Sequence, residues 1–197
     1  MVRGRFPAFF APVPVGLFHH QIVTGGEPIA MSILMEHTEA APMNPLDMIE
    51  QLVVEHEWAF DRQGDDELTV GIGGNYCEFQ LWFSWREEIG AMHLSCAFDM
   101  KVPEKRRRDM HSLLVFINEK MPVGHFDLWR DEGLVLFRHA LLLRGGIGAT
   151  SEQVEDLVEI ALSECERFYP AFQFLIWGGK TPEEAIAAAI LETVGEA

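Results

Sequence analysis

The chain has 197 residues, 48% of them hydrophobic, and a formal charge of −16 at pH 7. That length and apolar share fit one domain with a core of its own and exclude a disordered chain. The acidity argues against sequence-independent nucleic-acid binding, which needs a basic surface to displace counterions, and against anionic membranes.

Residues Met1–Ala30 differ from the rest. Arg3 and Arg5 precede Phe6, Phe9 and Phe10, but Pro7, Pro12 and Pro14 interrupt what would be the apolar core of a signal peptide. Translation from Met31 would explain this stretch, as would a disordered arm. Residues 1–42 are expected to be a disordered or extended segment and 43–197 a single domain. No run is long enough for a transmembrane helix. Cys77, Cys96 and Cys165 are odd in number and form no CxxC pair, so a disulfide framework is not expected and the cytoplasm is the natural compartment.

Asn44-Pro45-Leu46-Asp47 reads as a helix start: a capping side chain, a proline at the first helical position and an acid near the positive end. The spacing of Leu46, Ile49, Leu52 and Val53 predicts a helix over about Pro45–His56. The period then falls to two. Leu68, Val70 and Ile72 mark one strand, and Tyr76–Trp85 a second, with Phe79, Leu81 and Phe83 on one side. Ile89–Phe98 returns as a third, and Trp58–Arg62 fits a short edge strand before them. The connections are too short for crossovers, so the order is antiparallel.

Pro103 is expected at the first position of a second helix, with Met110, Leu113, Leu114, Ile117 and Met121 as its stripe. Its basic run, Lys105-Arg106-Arg107-Arg108, reads as an exposed face. His125–Arg130 and Leu134–Leu143 flank Asp131-Glu132-Gly133 as a hairpin. Thr150–Gln153 fits a capping box that opens a long third helix, and Thr181-Pro182-Glu183-Glu184 repeats the device before a final alanine-rich helix. The fold class is α+β: an antiparallel sheet, made of a three- or four-strand meander plus a hairpin, packed with three to four helices.

The end of the third helix is unusual. Phe168, Tyr169, Phe172, Phe174, Leu175, Ile176 and Trp177 occupy most of its circumference, which demands cover on all sides, and Pro170 predicts a kink or break. Gly178-Gly179 ends it.

Motifs that would carry chemistry are incomplete. Gly179-Lys180-Thr181 lacks the earlier glycine and the preceding strand of a phosphate loop, and Gly71-Ile72-Gly73-Gly74 feeds a strand where a dinucleotide fingerprint needs a helix. No Cys/His spacing suits a metal. His125 and Asp127 share a strand face, and Arg138 and His139 lie across the hairpin. These four form a candidate polar pocket for a small molecule or for hydrolysis, with Cys96 or Cys165 as conceivable nucleophiles; buried structural thiols are the plainer reading. No catalytic residue, metal or cofactor is assigned.

The chain resembles the bacterial YbjN family of sensory-transduction regulators. The resemblance spans roughly Pro45–Ala197 and is carried by Ala97-Phe98-Asp99, Asn118-Glu119-Lys120, Gly124–Trp129, Phe137–Ala140, and above all Cys165–Phe174 with Trp177–Lys180. It implies a fold similar to type III secretion chaperones, which are acidic homodimers that hold extended partner segments. It implies no catalytic residues. The resulting expectation is a non-enzymatic, cytoplasmic, homodimeric regulator that binds an unidentified protein or peptide and neither nucleic acid nor membrane. Trp129, Phe168, Tyr169, Phe172 and Trp177 are its candidate interface or binding residues.

Overall fold

The computed structural model describes residues 44–145 and 148–195, with side chains through residue 190. The extended or disordered segment expected over 1–42, and the middle of the Gly145–Gly148 loop, lie outside the described residues. The elements run α1 (Pro45–Glu55), β1 (Ala59–Gln63), β2 (Glu67–Gly73), β3 (Glu78–Arg86), β4 (Ala91–Lys101), α2 (Arg107–Asn118), β5 (His125–Trp129), β6 (Leu134–Leu142), α3 (Ser151–Ile176) and α4 (Pro182–Gly195). The strands form one six-stranded sheet in the order β1-β2-β3-β4-β6-β5, antiparallel throughout. The α+β architecture is the one the alternating patterns predict.

Register explains which side is core. Val70, Leu81, Cys96, Phe137 and Phe126 pair successively across the sheet, and all are buried. The neighbouring row, Thr69, Trp82, Ser95, Arg138 and His125, carries the polar groups. Adjacent residues of a strand point to opposite faces, so the first row faces the helices and the second faces away.

The helix starts follow their capping chemistry. Asn44 accepts from the Leu46 N–H at 3.0 Å ahead of Pro45. Thr150 and Gln153 cap each other reciprocally, as do Thr181 and Glu184. Pro103 departs from expectation. It sits ahead of a 3-10 turn over Glu104–Arg106, its carbonyl accepting from the Arg106 N–H at 2.8 Å, and α2 begins only at Arg107.

Pro170 does not break α3, which runs on to Ile176. A proline there forfeits the N–H bond to the carbonyl four residues back, a cost of about 3 kcal/mol in an exposed helix. Here Phe168, Tyr169, Pro170, Ala171, Phe172 and Leu175 are all buried, and their burial offsets the loss. Gly179, at a φ of 66°, turns the chain out of the helix, and the Lys180 N–H returns to the Phe174 carbonyl at 3.2 Å.

Arg106 corrects the reading of the basic run as an exposed face. Its guanidinium donates to the Leu175 carbonyl at 2.7 and 3.0 Å and to the Lys180 carbonyl at 2.6 Å, while Asp109 holds it at 2.6 Å. It therefore caps the negative end of α3 and ties α2 to the turn before α4.

The β2–β3 turn is pinned in the same way. Glu166 on α3 accepts from the Asn75 N–H at 2.6 Å, and a Cβ on Gly74 would come within 2.3 Å of that carboxylate and 2.2 Å of the Phe79 ring. Gly74 is there for close approach rather than for turn geometry.

Replacing Arg106 with Met is expected to cost about 2–3 kcal/mol, since two carbonyls lose charge-assisted donors, and Lys should recover less than half because it lacks the fork. Gly74→Ala is expected to cost about 1–3 kcal/mol through overcrowding. Urea unfolding monitored by tryptophan fluorescence checks both.

Candidate functional site

The aromatic segment of α3 is settled by its neighbours. Phe172 stacks on Phe98 with ring centroids 5.6 Å apart and meets Phe126 edge-on at 5.3 Å. Phe168 meets Phe126 at 6.0 Å. Tyr169 contacts Phe98 at 5.4 Å and stacks on Tyr76 at 4.9 Å. Phe168, Tyr169 and Phe172 are thus covered by the sheet of their own chain. Trp129, at the end of β5, is half-buried, whereas Trp177, past the end of α3, is 62% exposed. The five aromatics picked from the sequence do not form one surface.

Of the polar candidates, His125, Arg138 and His139 border one groove. Arg138 on β6 lies opposite His125 on β5 and Ser95 on β4. His125 pairs with Arg138, so β6 continues beyond the start of β5 through His139, Ala140, Leu141 and Leu142. The notch this leaves is a groove of about 510 Å³ lined by His93, Leu94, Ser95, Gly124, His125, Arg138, His139 and Ala140. Gly124 admits the chain to β5 at a φ of 69°, and a Cβ there would strike the Phe137 ring. Asp127 is not part of the lining; it pairs with Arg138 at 3.3 Å.

His93 and Ser95 were not singled out as site residues from the sequence. They join the groove because β4 pairs with β6, the strand after next in the chain, and no local pattern announces that pairing. Burial lowers the pKa of His93, with Arg86 and Arg138 adding to the effect. Burial and then His125 lower that of His139.

The thiols belong to the other side of the sheet. Cys96 pairs with Phe137 in the helix-facing row, and its sulfur lies 3.7 Å from that of Cys165 on α3. Burial pushes the Cys165 pKa well above its ordinary value, and that of Cys77 up to about 11. Cys77 and Cys165 are thereby held as thiols, and none of the three cysteines lines the groove with the histidines. Among the described residues no group of three or more His, Cys, Asp or Glu is placed to hold a metal ion. No helix among them is long and apolar enough to cross a membrane.

The two outer strands differ. On β5, Asn118 of α2 accepts from the Phe126 N–H at 2.8 Å and donates to the Phe126 carbonyl at 3.0 Å, and Asp127 accepts from the Leu128 N–H at 2.8 Å. These side chains take backbone groups that a further strand would need. On the opposite edge, β1 has exposed side chains along most of its length, including Phe60, and no described strand lies beyond it.

A family model, YbjN, described as "Putative bacterial sensory transduction regulator", matches residues 45–174. The chain belongs to the YbjN family. The match runs from the first helical residue into the aromatic segment, so it includes Asn118, Gly124 and the histidine groove, while Trp177–Lys180 lie beyond it. Among solved structures, the crystal structure of YbjN from E. coli, described as "a putative transcription regulator", is similar over 77% of this chain and 92% of that one, at 16% identity and a TM-score of 0.43. No curated protein matches this YbjN-family chain.

The lowered imidazole values set a sign for pH dependence. His93 and His139 favour the neutral form in the folded chain, and unfolding lets them take up protons. Their contribution to stability is complete above the ordinary value of 6.5 and is lost as pH falls through the lowered folded values. Urea midpoints measured from about pH 7.5 to 5.5 should fall more steeply for the native chain than for a His93→Gln, His139→Gln double variant.

Proposed function

We propose that this YbjN-family chain is a non-enzymatic regulator that acts by holding another protein, in the manner of a secretion chaperone, as a homodimer in the bacterial cytoplasm. The observation that carries this reading is the inequality of the sheet edges. Asn118 and Asp127 occupy the β5 edge, whereas no described strand covers the β1 edge. An extended segment added there would gain main-chain hydrogen bonds without any rearrangement of the core. The family description, a sensory-transduction regulator, fits a protein that signals by association. The formal charge of −16 favours basic partner segments. Phe60 on β1 and Trp177 past the end of α3 supply exposed apolar side chains for such contacts.

Light scattering on a sizing column at micromolar concentration should return twice the chain mass; a strict monomer removes the dimer. Segment binding is tested on an array of basic, β-prone peptides. Phe60→Lys should lower capture by at least about tenfold with folding intact, because it places charge on the accepting edge. Unchanged capture by that variant would overturn the choice of edge.

A further inference from the structure

The groove at the start of β5 stands apart from the rest of this acidic protein. The chain carries 31 Asp and Glu against 15 Lys and Arg. Yet among the described residues the groove is lined by His93, His125, His139, Arg138 and Ser95 without one carboxylate. The other groove of note, against α1, is the reverse, with Asp47 and Glu50 in its lining. The histidine lining concentrates hydrogen-bond donors in a concave site, with the nearest carboxylate, Asp127, set on Arg138 from outside it.

We propose that this groove binds a small tetrahedral oxyanion of the phosphate-monoester class. The chemistry matches group by group. The Arg138 side chain is a planar fork suited to two oxygens of one anion, and Asp127, at 3.3 Å on the neighbouring strand, orients it. Ser95, directly opposite Arg138 on β4, presents a hydroxyl donor. Each imidazole donates one N–H when neutral and two when protonated. The volume of about 510 Å³ exceeds what the anion alone needs, leaving room for the molecule that carries it.

Anion binding and proton uptake are coupled here. The charged and titratable described groups facing the imidazoles are Arg86 and Arg138 toward His93, and His125 toward His139, with Asp127 on Arg138. A bound anion opposes the cationic neighbours and draws protons onto the ring nitrogens, so affinity rises as pH falls. The groove lies on β4, β6 and β5, at the opposite end of the sheet from β1, and so stands or falls separately from the edge-pairing reading.

Sulfate is the appropriate probe, because its own charge is constant over the range that matters. Sulfate titrated to about 20 mM at ionic strength held with chloride should shift the ring C–H resonances of His93 and His125 together and leave His111 on α2 unmoved. Binding should be at least about tenfold tighter near pH 5.5 than near pH 7.5, and Arg138→Gln should weaken it by about tenfold or more. His125 is exposed, so His125→Gln tests the same site without burdening the fold, and it too should weaken binding. Shifts reproduced by chloride alone, or shifts of equal size in both variants, would overturn the proposal.

Discussion

The fold depends on one contact above others, the seating of the aromatic turn of α3 on the row formed by Phe98 and Phe126. A helix with large apolar groups on most of its circumference is insoluble by itself, and a sheet with one apolar face is equally so. Each solves the problem of the other. The contact is worth enough to carry an internal proline, and it positions the two groups that tie the rest of the chain together. Glu166, four residues before that proline, reaches the β2–β3 turn, and the carbonyl of Leu175, five residues after it, receives Arg106. One segment thereby fixes a hairpin at one end and α2 at the other. This is also the part of the chain whose aromatic sequence most plainly carries the YbjN resemblance.

Much of this was legible in the residues. Asn44-Pro45, Thr150–Gln153 and Thr181–Glu184 announce helix starts because capping is a local bargain between a side chain and the amides just after it. Period-two alternation placed Phe79, Leu81 and Phe83 on one face for an equally local reason. What escaped was nonlocal. Arg106 looks like one member of a basic run, and its partners lie 69 and 74 positions away. His93 and Ser95 enter the groove through the β4–β6 pairing, which skips β5, whereas His125, Arg138 and His139 belong to a hairpin whose register its own turn dictates. The aromatics illustrate the same limit. Hydrophobicity says that Phe172 and Trp177 need cover, but only packing says that the sheet covers the first and leaves the second exposed.

The two faces of the sheet divide the work. The helix side holds the aromatic cluster and the buried Cys96 and Cys165, and its task is cohesion. The far side carries His93, His125, Arg138 and Ser95 in the polar row and its neighbours, whereas His139, next to Arg138 on β6, falls in the opposite register.

The clamp that Asn118 places on β5 has a consequence for how copies of this chain can grow into larger bodies. Endless polymerisation of a sheet requires a donor rim and a receiving rim on every subunit. Where one rim is sealed, two subunits joined through their remaining rims leave nothing for a third to attach to, and growth stops by geometry. An exposed β1 edge opposite a sealed one can therefore pair once without seeding a fibril.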